Sequence, residues 1–376
     1  MTTPALEGFV SAFVDALRVD PTLDEALDPA GHGAWRHPAL DLVGPAGVRP
    51  FLAAALARGS GPEGSDPEGD SEAAPVLVVV PTAREGELLA AALADLVGEA
   101  SVAYFPSWET LPHERLSPRS DTVGQRLAIL RRLRHPLLDA AAPGTGPLRV
   151  VVAPVRSLLQ PQAAGLGDIE PVSLRVGQEL PLEELVAGLA GAAYSRVDLV
   201  EKRGEFAVRG GIVDVFPPTE DHPVRIEFFG DEVEEIRTFA VADQRGLEHR
   251  ESLWAPPCRE LLLTDAVRAR AAELGERHPS LLELTDQIAA GVAVEGMEAL
   301  LPVLVDELEL LVDVLPASAQ ILLVDPERAR TRAHDLVATS AEFLAASWAV
   351  AAGGGKAPVD LAGASYRPLG EVRSHA

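Results

Sequence analysis

The sequence predicts an α/β protein in which a mostly parallel sheet is interrupted by a β-rich insertion and then resumed. Three observations carry this. Apolar runs of strand length at Val76 to Val80 and within LRVVVAPVRSLL (148–159) are flanked by helical patterns, as buried parallel strands are. From about 172 to 255 the pattern changes to short strands broken by glycine and proline turns. After Pro256-Pro257 helical spacing dominates from Asp265 to Leu311, and ILLVDPERARTRAHDL (321–336) restores a strand followed by a helix.

Taken in order, the elements start with helical patterns up to about Leu42. There Phe9, Val10, Phe13, Val14 and Leu17 share one spacing and Asp20-Pro21 breaks it. DLVGPAGVRPFLAAALARG (41–59) reads as a strand-like edge, a glycine turn and an Ala/Leu helix. GSGPEGSDPEGDSEAA (59–74) has no period and too little apolar content for a core, which predicts a flexible loop. Arg84 to Val97 is an amphipathic helix, Val102 to Phe105 a short buried strand, and RLAILRRL (126–133) a helix. The tail, 353–376, is weakly patterned and shows no obvious closing element.

Composition narrows the function classes. The chain has 376 residues and a net charge of -25, which argues against an open nucleic-acid groove, since phosphate binding rests on clustered Lys and Arg. Lys202 and Lys356 are its lysines. A lone cysteine, Cys258, excludes an internal disulfide and a multi-cysteine metal site and suits a reducing compartment. No apolar run of about 18 residues and no basic-apolar leader stand out. The expectation is a cytoplasmic, soluble, monomeric protein with no membrane partner.

The glycine turn is where a nucleotide site would lie. A phosphate loop needs backbone N–H groups at a helix start, a lysine for the terminal phosphates and a hydroxyl for magnesium. Gly44 and Gly47 stand in the expected place, but Pro50 takes the lysine position and Phe51 the hydroxyl position. Proline also removes a donor. The histidines show no metal-ligand spacing and read as surface or turn residues, so no metal site and no catalytic residue is assigned. The acidic runs Glu232, Glu234, Glu235 and Asp306, Glu307, Glu309 read as solvated faces.

The stretch 194–245 is the more informative. Phe206 and Val208 alternate with Ala207 and Arg209 before Gly210-Gly211, read as a kink or bulge inside strand. VRIEFF and EEIRTF flank Gly230-Asp231, a hairpin signal that puts Val224, Ile226 and Phe228 on one side and Arg225, Glu227 and Phe229 on the other. Glu205, Arg209, Arg225 and Glu227 then present mixed charge outward. In YFPSWETLPHERLSPRSDTVGQRLAILRRL (104–133), Trp108 reads as a core aromatic, and Gln125 and Arg126 as structural.

Together with VVVAPVRSLLQP (150–161), RGEFAVRGGIVDVFPP (203–218) and VRIEFFGDEVEEIRTF (224–239), that segment resembles the N-terminal, UvrB-like module of the transcription-repair coupling factors (Mfd). The likeness runs from about residue 5 to the end. WETLP followed by SPRSD is distinctive of that family, whereas UvrB has a Tyr-rich DNA-clamping hairpin and an intact P-loop. The resemblance implies a degenerate RecA/helicase-like α/β domain at 1–164, an inserted UvrA-binding domain at 165–256, and a helical segment returning to the α/β domain at 257–376. It implies recruitment of UvrA in nucleotide-excision repair, no ATPase activity in this chain, and ATP and Mg only in a translocase part found elsewhere in the family, along with RNA polymerase and DNA as partners. Arg196 and Arg209 match family arginines at the UvrA surface, with Glu205 and Phe206 as neighbouring candidates; Ala207 stands where UvrB has another arginine. Two alternatives stay open: an ATP-dependent, damage-binding helicase component like UvrB, and an autoinhibitory structural domain.

Overall fold

The computed structural model describes residues 41–59, 75–138, 146–352 and 365–375. The expected N-terminal helices, the acidic loop from 60 and the tail at 353–364 lie outside them. Residues 41–45 form no strand; they are exposed, and Pro45 leads through a short 3-10 turn, Ala46–Val48, into helix α1 (Arg49–Gly59). The strand-like edge expected there is thus coil, and among the described residues no strand pairs with it.

Strand β1 (Val76–Val80) is buried throughout, and its alternation shows why. Leu77 and Val79 enter one apolar cluster, while Val76, Val78 and Val80 enter another, so both faces of the sheet are covered. Helix α2 (Ala83–Val97) starts at Thr82, whose hydroxyl accepts the Glu85 N–H, and buries Ala90, Leu93 and Leu96. Next come β2 (Val102–Tyr104), a long loop, α3 (Ser120–Arg134), β3 (Val150–Pro154), α4 (Val155–Leu159) and the short β4 (Gln162–Ala163).

The insertion opens with β5 (Val172–Arg175) and α5 (Leu182–Gly191). Then follow β6 (Ser195–Arg196), β7 (Glu205–Arg209), β8 (Ile212–Val215), β9 (Val224–Phe229), β10 (Glu232–Phe239), β11 (Gly246–Arg250) and β12 (Ser252–Ala255). β5 and β12 pair antiparallel, so the chain enters and leaves this region at one place. The other six form one sheet, in order β11-β10-β9-β8-β7-β6, antiparallel except for β6 and β7. Phe206, Val213, Val215, Val224, Ile226, Val233 and Ile236 pack its inner face against Leu185, Leu189 and Tyr194.

Gly210-Gly211 is not a strand-internal bulge. It is the two-residue turn between β7 and β8, with Arg209 opposite Ile212 and Gly210 at φ 60. Glycine at that φ carries no Cβ penalty, which is why the pair suits a tight hairpin. Gly230-Asp231 makes the second such hairpin, as expected.

After the insertion run α6 (Asp265–Arg277), α7 (Leu282–Ala289), α8 (Leu301–Leu304), β13 (Leu308–Glu309), which pairs with β4, and α9 (Leu311–Val314). β14 (Gln320–Leu323) then adds to β1, completing a parallel sheet in the order β14-β1-β3-β2. The long α10 (Pro326–Ala352) follows. Contrary to the unpatterned tail expected, α11 (Leu369–His375) ends the described chain, with Tyr366 and Val372 buried. No helix among the described residues is long and apolar enough to cross a membrane.

Candidate docking face

The outer face of the six-stranded sheet is built around one buried carboxylate. Asp214 is 1% exposed, and two arginines converge on it. Arg225 donates through Nε and Nη2 at 2.6 and 2.8 Å, and Arg209 through Nη2 at 2.5 Å. Those hydrogen bonds hold the Arg225 guanidinium above its ordinary pKa, and the same group lies 4.6 Å from the Phe239 ring centre. Alongside, Arg237 joins Glu227 and Glu235, and His249 reaches Glu235 at 2.9 Å. The mixed charge predicted for this face is therefore a set of mutually oriented partners. Arg209 remains half-exposed.

Of the four predicted contact residues, two arginines are exposed and two neighbours are not available in the way expected. Arg196 sits on the edge strand β6 opposite Phe206, so it lies on the inner-face side, whereas Arg209 lies on the outer face. The two meet only at the sheet's edge, where they line a shallow open depression with Val197, Asp198 and Val208. Phe206 is 1% exposed and belongs to the core, which removes it as a contact. The Glu205 carboxylate accepts the Glu201 and Lys202 N–H groups at 2.9 and 2.8 Å and closes its own loop. Ala207 is buried in a small apolar cluster with Val200 and Phe216.

Asp214 itself was not foreseen. A carboxylate inside the run IVDVF was the available signal, because a charge flanked by buried valines has to be paired.

The glycine turn at 44–51 has a different environment. Gly44 and Gly47 have open space around them, Pro50 is in the first turn of α1, and Phe51 packs on the apolar layer of Ala53 and Val78. At the carboxyl ends of β1 and β14, Arg328 binds Glu85 at 2.8 Å and Asp325 at 3.3 Å, while Arg49 lies 3.9 Å from Asp325. Among the described residues no group of three or more His, Cys, Asp and Glu side chains is arranged to hold a metal. His113 lies in a turn, within the surface-or-turn reading of the histidines, but is buried, 3.1 Å from the Ser365 hydroxyl.

Trp108 is buried as expected and donates Nε1–H to Glu260 at 3.0 Å. Arg126, wholly buried, donates to the same Glu260 oxygen at 2.5 Å, to the Pro106 carbonyl and to Gln162. Gln125 donates to the Tyr104 carbonyl. Both read correctly as structural.

The fold and face define an α/β protein carrying a UvrB interaction domain, a family that residues 172–260 match. The chain is 49% identical over 384 aligned residues to the transcription-repair-coupling factors of Mycobacterium tuberculosis and Mycobacterium bovis, a match covering 98% of this chain and 29% of theirs. It is 37% identical over 106 residues to UvrABC system protein B of Kosmotoga olearia, covering 28% of this chain and 16% of that protein. The chain belongs to the transcription-repair-coupling factor family, as its UvrB-like module, and spans under a third of the length of the mycobacterial relatives.

Proposed function

We propose that this chain is a docking module for UvrA, and that it engages UvrA through the β6–β7 edge and outer face of the six-stranded sheet. The observation that carries the reading is the coincidence of the UvrB interaction domain, 172–260, with that sheet. Arg209 is the leading contact: Asp214 fixes its guanidinium while leaving it half-exposed, and an oriented arginine loses little freedom on pairing with a carboxylate. Arg196 is the second contact, approaching from the other side of the edge. In the longer proteins of the family this module would bring UvrA to RNA polymerase stalled on DNA.

We also propose that the chain has no ATPase activity and holds no cofactor, because Pro50 and Phe51 take the lysine and hydroxyl positions of a phosphate loop. The division into 1–164, 165–256 and 257–376 and a cytoplasmic location belong to the same proposal.

Calorimetric titration with purified UvrA tests it. Wild type should bind, and Arg209→Ala should weaken binding by about tenfold or more with its melting temperature kept, since Asp214 retains Arg225. Arg196→Ala added to Arg209→Ala should weaken it further. No binding by wild type, or undiminished binding by the double variant, contradicts the reading.

A further inference from the structure

Phe229 is the most exposed aromatic side chain among the described residues, at 77%. Its neighbour Phe228 points the other way and packs on the insertion core, and the Phe228 N–H donates to the Gly211 carbonyl. One phenylalanine therefore anchors the hairpin and the next one stands in water. An exposed ring of that size is unfavourable to hydrate.

The tip that carries Phe229 is braced on its far side. The Leu180 N–H donates to the Asp231 carbonyl at 2.7 Å, the Gly177 N–H to the Val233 carbonyl at 2.8 Å, and the Val233 N–H to the Gln178 carbonyl at 3.0 Å. Glu179 and Glu232 form a further bridge. The ring is thus presented by a turn that is held from two directions, so ordering it against a partner loses little entropy.

Strand register puts Phe229 on the outer face with Arg209. Arg209 lies opposite Ile212, Ile212 opposite Glu227, and Phe229 follows Glu227 by two positions. Glu227 is already paired with Arg237, so covering this patch leaves that charge with its partner. Ile212 is half-buried between the two ends. The patch has an apolar centre with an arginine on its flank, the arrangement in which protein interfaces concentrate binding energy.

We propose that Phe229 is the apolar anchor of the UvrA-docking face, inserting into an apolar recess of UvrA whose rim supplies the carboxylate for Arg209. This rests on the preceding reading that the sheet docks UvrA. It extends the contact surface from the β6–β7 edge across to the β9–β10 hairpin.

Titration of the full chain with UvrA, using Phe229→Ala, Phe229→Tyr and Leu88→Ala, tests the proposal. Leu88 is a comparably exposed side chain, at 64%, on α2 of the α/β body. The expected result is a Kd about 30-fold weaker for Phe229→Ala, with Phe229→Tyr also weakened because its hydroxyl would enter the apolar recess without a partner, Leu88→Ala unchanged and all melting temperatures kept. Phe229→Ala binding as tightly as wild type, while Arg209→Ala binds weakly, overturns the anchor and leaves the docking reading standing. Equal weakening by Leu88→Ala also overturns it. If wild type does not bind UvrA, the docking reading has failed first.

Discussion

Asp214 shows how a buried charge can serve a surface. Enclosed by Val213 and Val215, its carboxylate accepts from both Arg225 and Arg209, and the same contact orients Arg209, which stays half-exposed. Ala207 makes the complementary point: it is buried with Val200 and Phe216, so this outer-face position offers no exposed side chain. A second buried carboxylate, Glu298, is titratable. It accepts from Arg259 at 2.8 Å and from the Ser117 hydroxyl at 2.6 Å, tying the 106–119 loop to the helical segment. Burial pushes its pKa above the ordinary carboxylate range, against the opposing pull of Arg259 and Ser117. A raised pKa in the fold means that the native state holds the proton more tightly, so this contribution is present at low pH and is lost as pH rises through the raised value. Compared with Glu298→Gln, the wild-type melting temperature should therefore decline on going from about pH 4 to about pH 7. A relative rise would show that the ion pair with Arg259 outweighs burial.

At the scale of elements, the insertion and the α/β body are joined by packed polar and glycine contacts. Arg126 on α3 reaches Glu260, just beyond the insertion, and the Ser120 hydroxyl donates to the Arg203 carbonyl at 2.8 Å. A Cβ on Gly124 would lie 2.3 Å from Pro218, so α3 approaches the sheet's loops as closely as glycine permits. Glu260→Ala should leave Arg126 buried without its counter-charge and cost about 3–5 kcal/mol, read as a lower denaturation midpoint. Arg126→Met combined with Glu260→Leu should recover most of that loss; failure to recover would point to a role beyond the ion pair. The elements themselves were legible where the pattern was long or unambiguous. β1 and β3 announce themselves as apolar runs, and the β9–β10 hairpin by alternation around Gly230-Asp231. Gly210-Gly211 was misread because a glycine pair marks a bulge or a turn equally well, and only pairing partners decide between them. The face of Arg196 was illegible because register between β6 and β7 is a long-range property across a loop, whereas the alternation of Phe206 with Arg209 already put Phe206 on the opposite face. The short helix at 369–375 was missed because its one buried anchor, Val372, gives no period.

Over the whole molecule, charge and topology separate two surfaces. The carboxyl ends of a parallel sheet are where such folds commonly hold ligands, and here Arg328, Glu85, Asp325 and Arg49 neutralise one another beside them. With a net charge of -25, the protein as a whole repels polyanions, and the exposed arginines at one edge of the insertion stand out against that background. The function proposed for this chain is recognition of UvrA by the inserted sheet. Hydrogen–deuterium exchange of the full chain, with and without saturating UvrA, tests it most directly. Slowed exchange is expected across β6 to β9 and the Gly230-Asp231 turn, with residues 44–59 unchanged. Slowed exchange at 44–59 and the carboxyl ends of β1 and β14, with the inserted sheet unaffected, would contradict it.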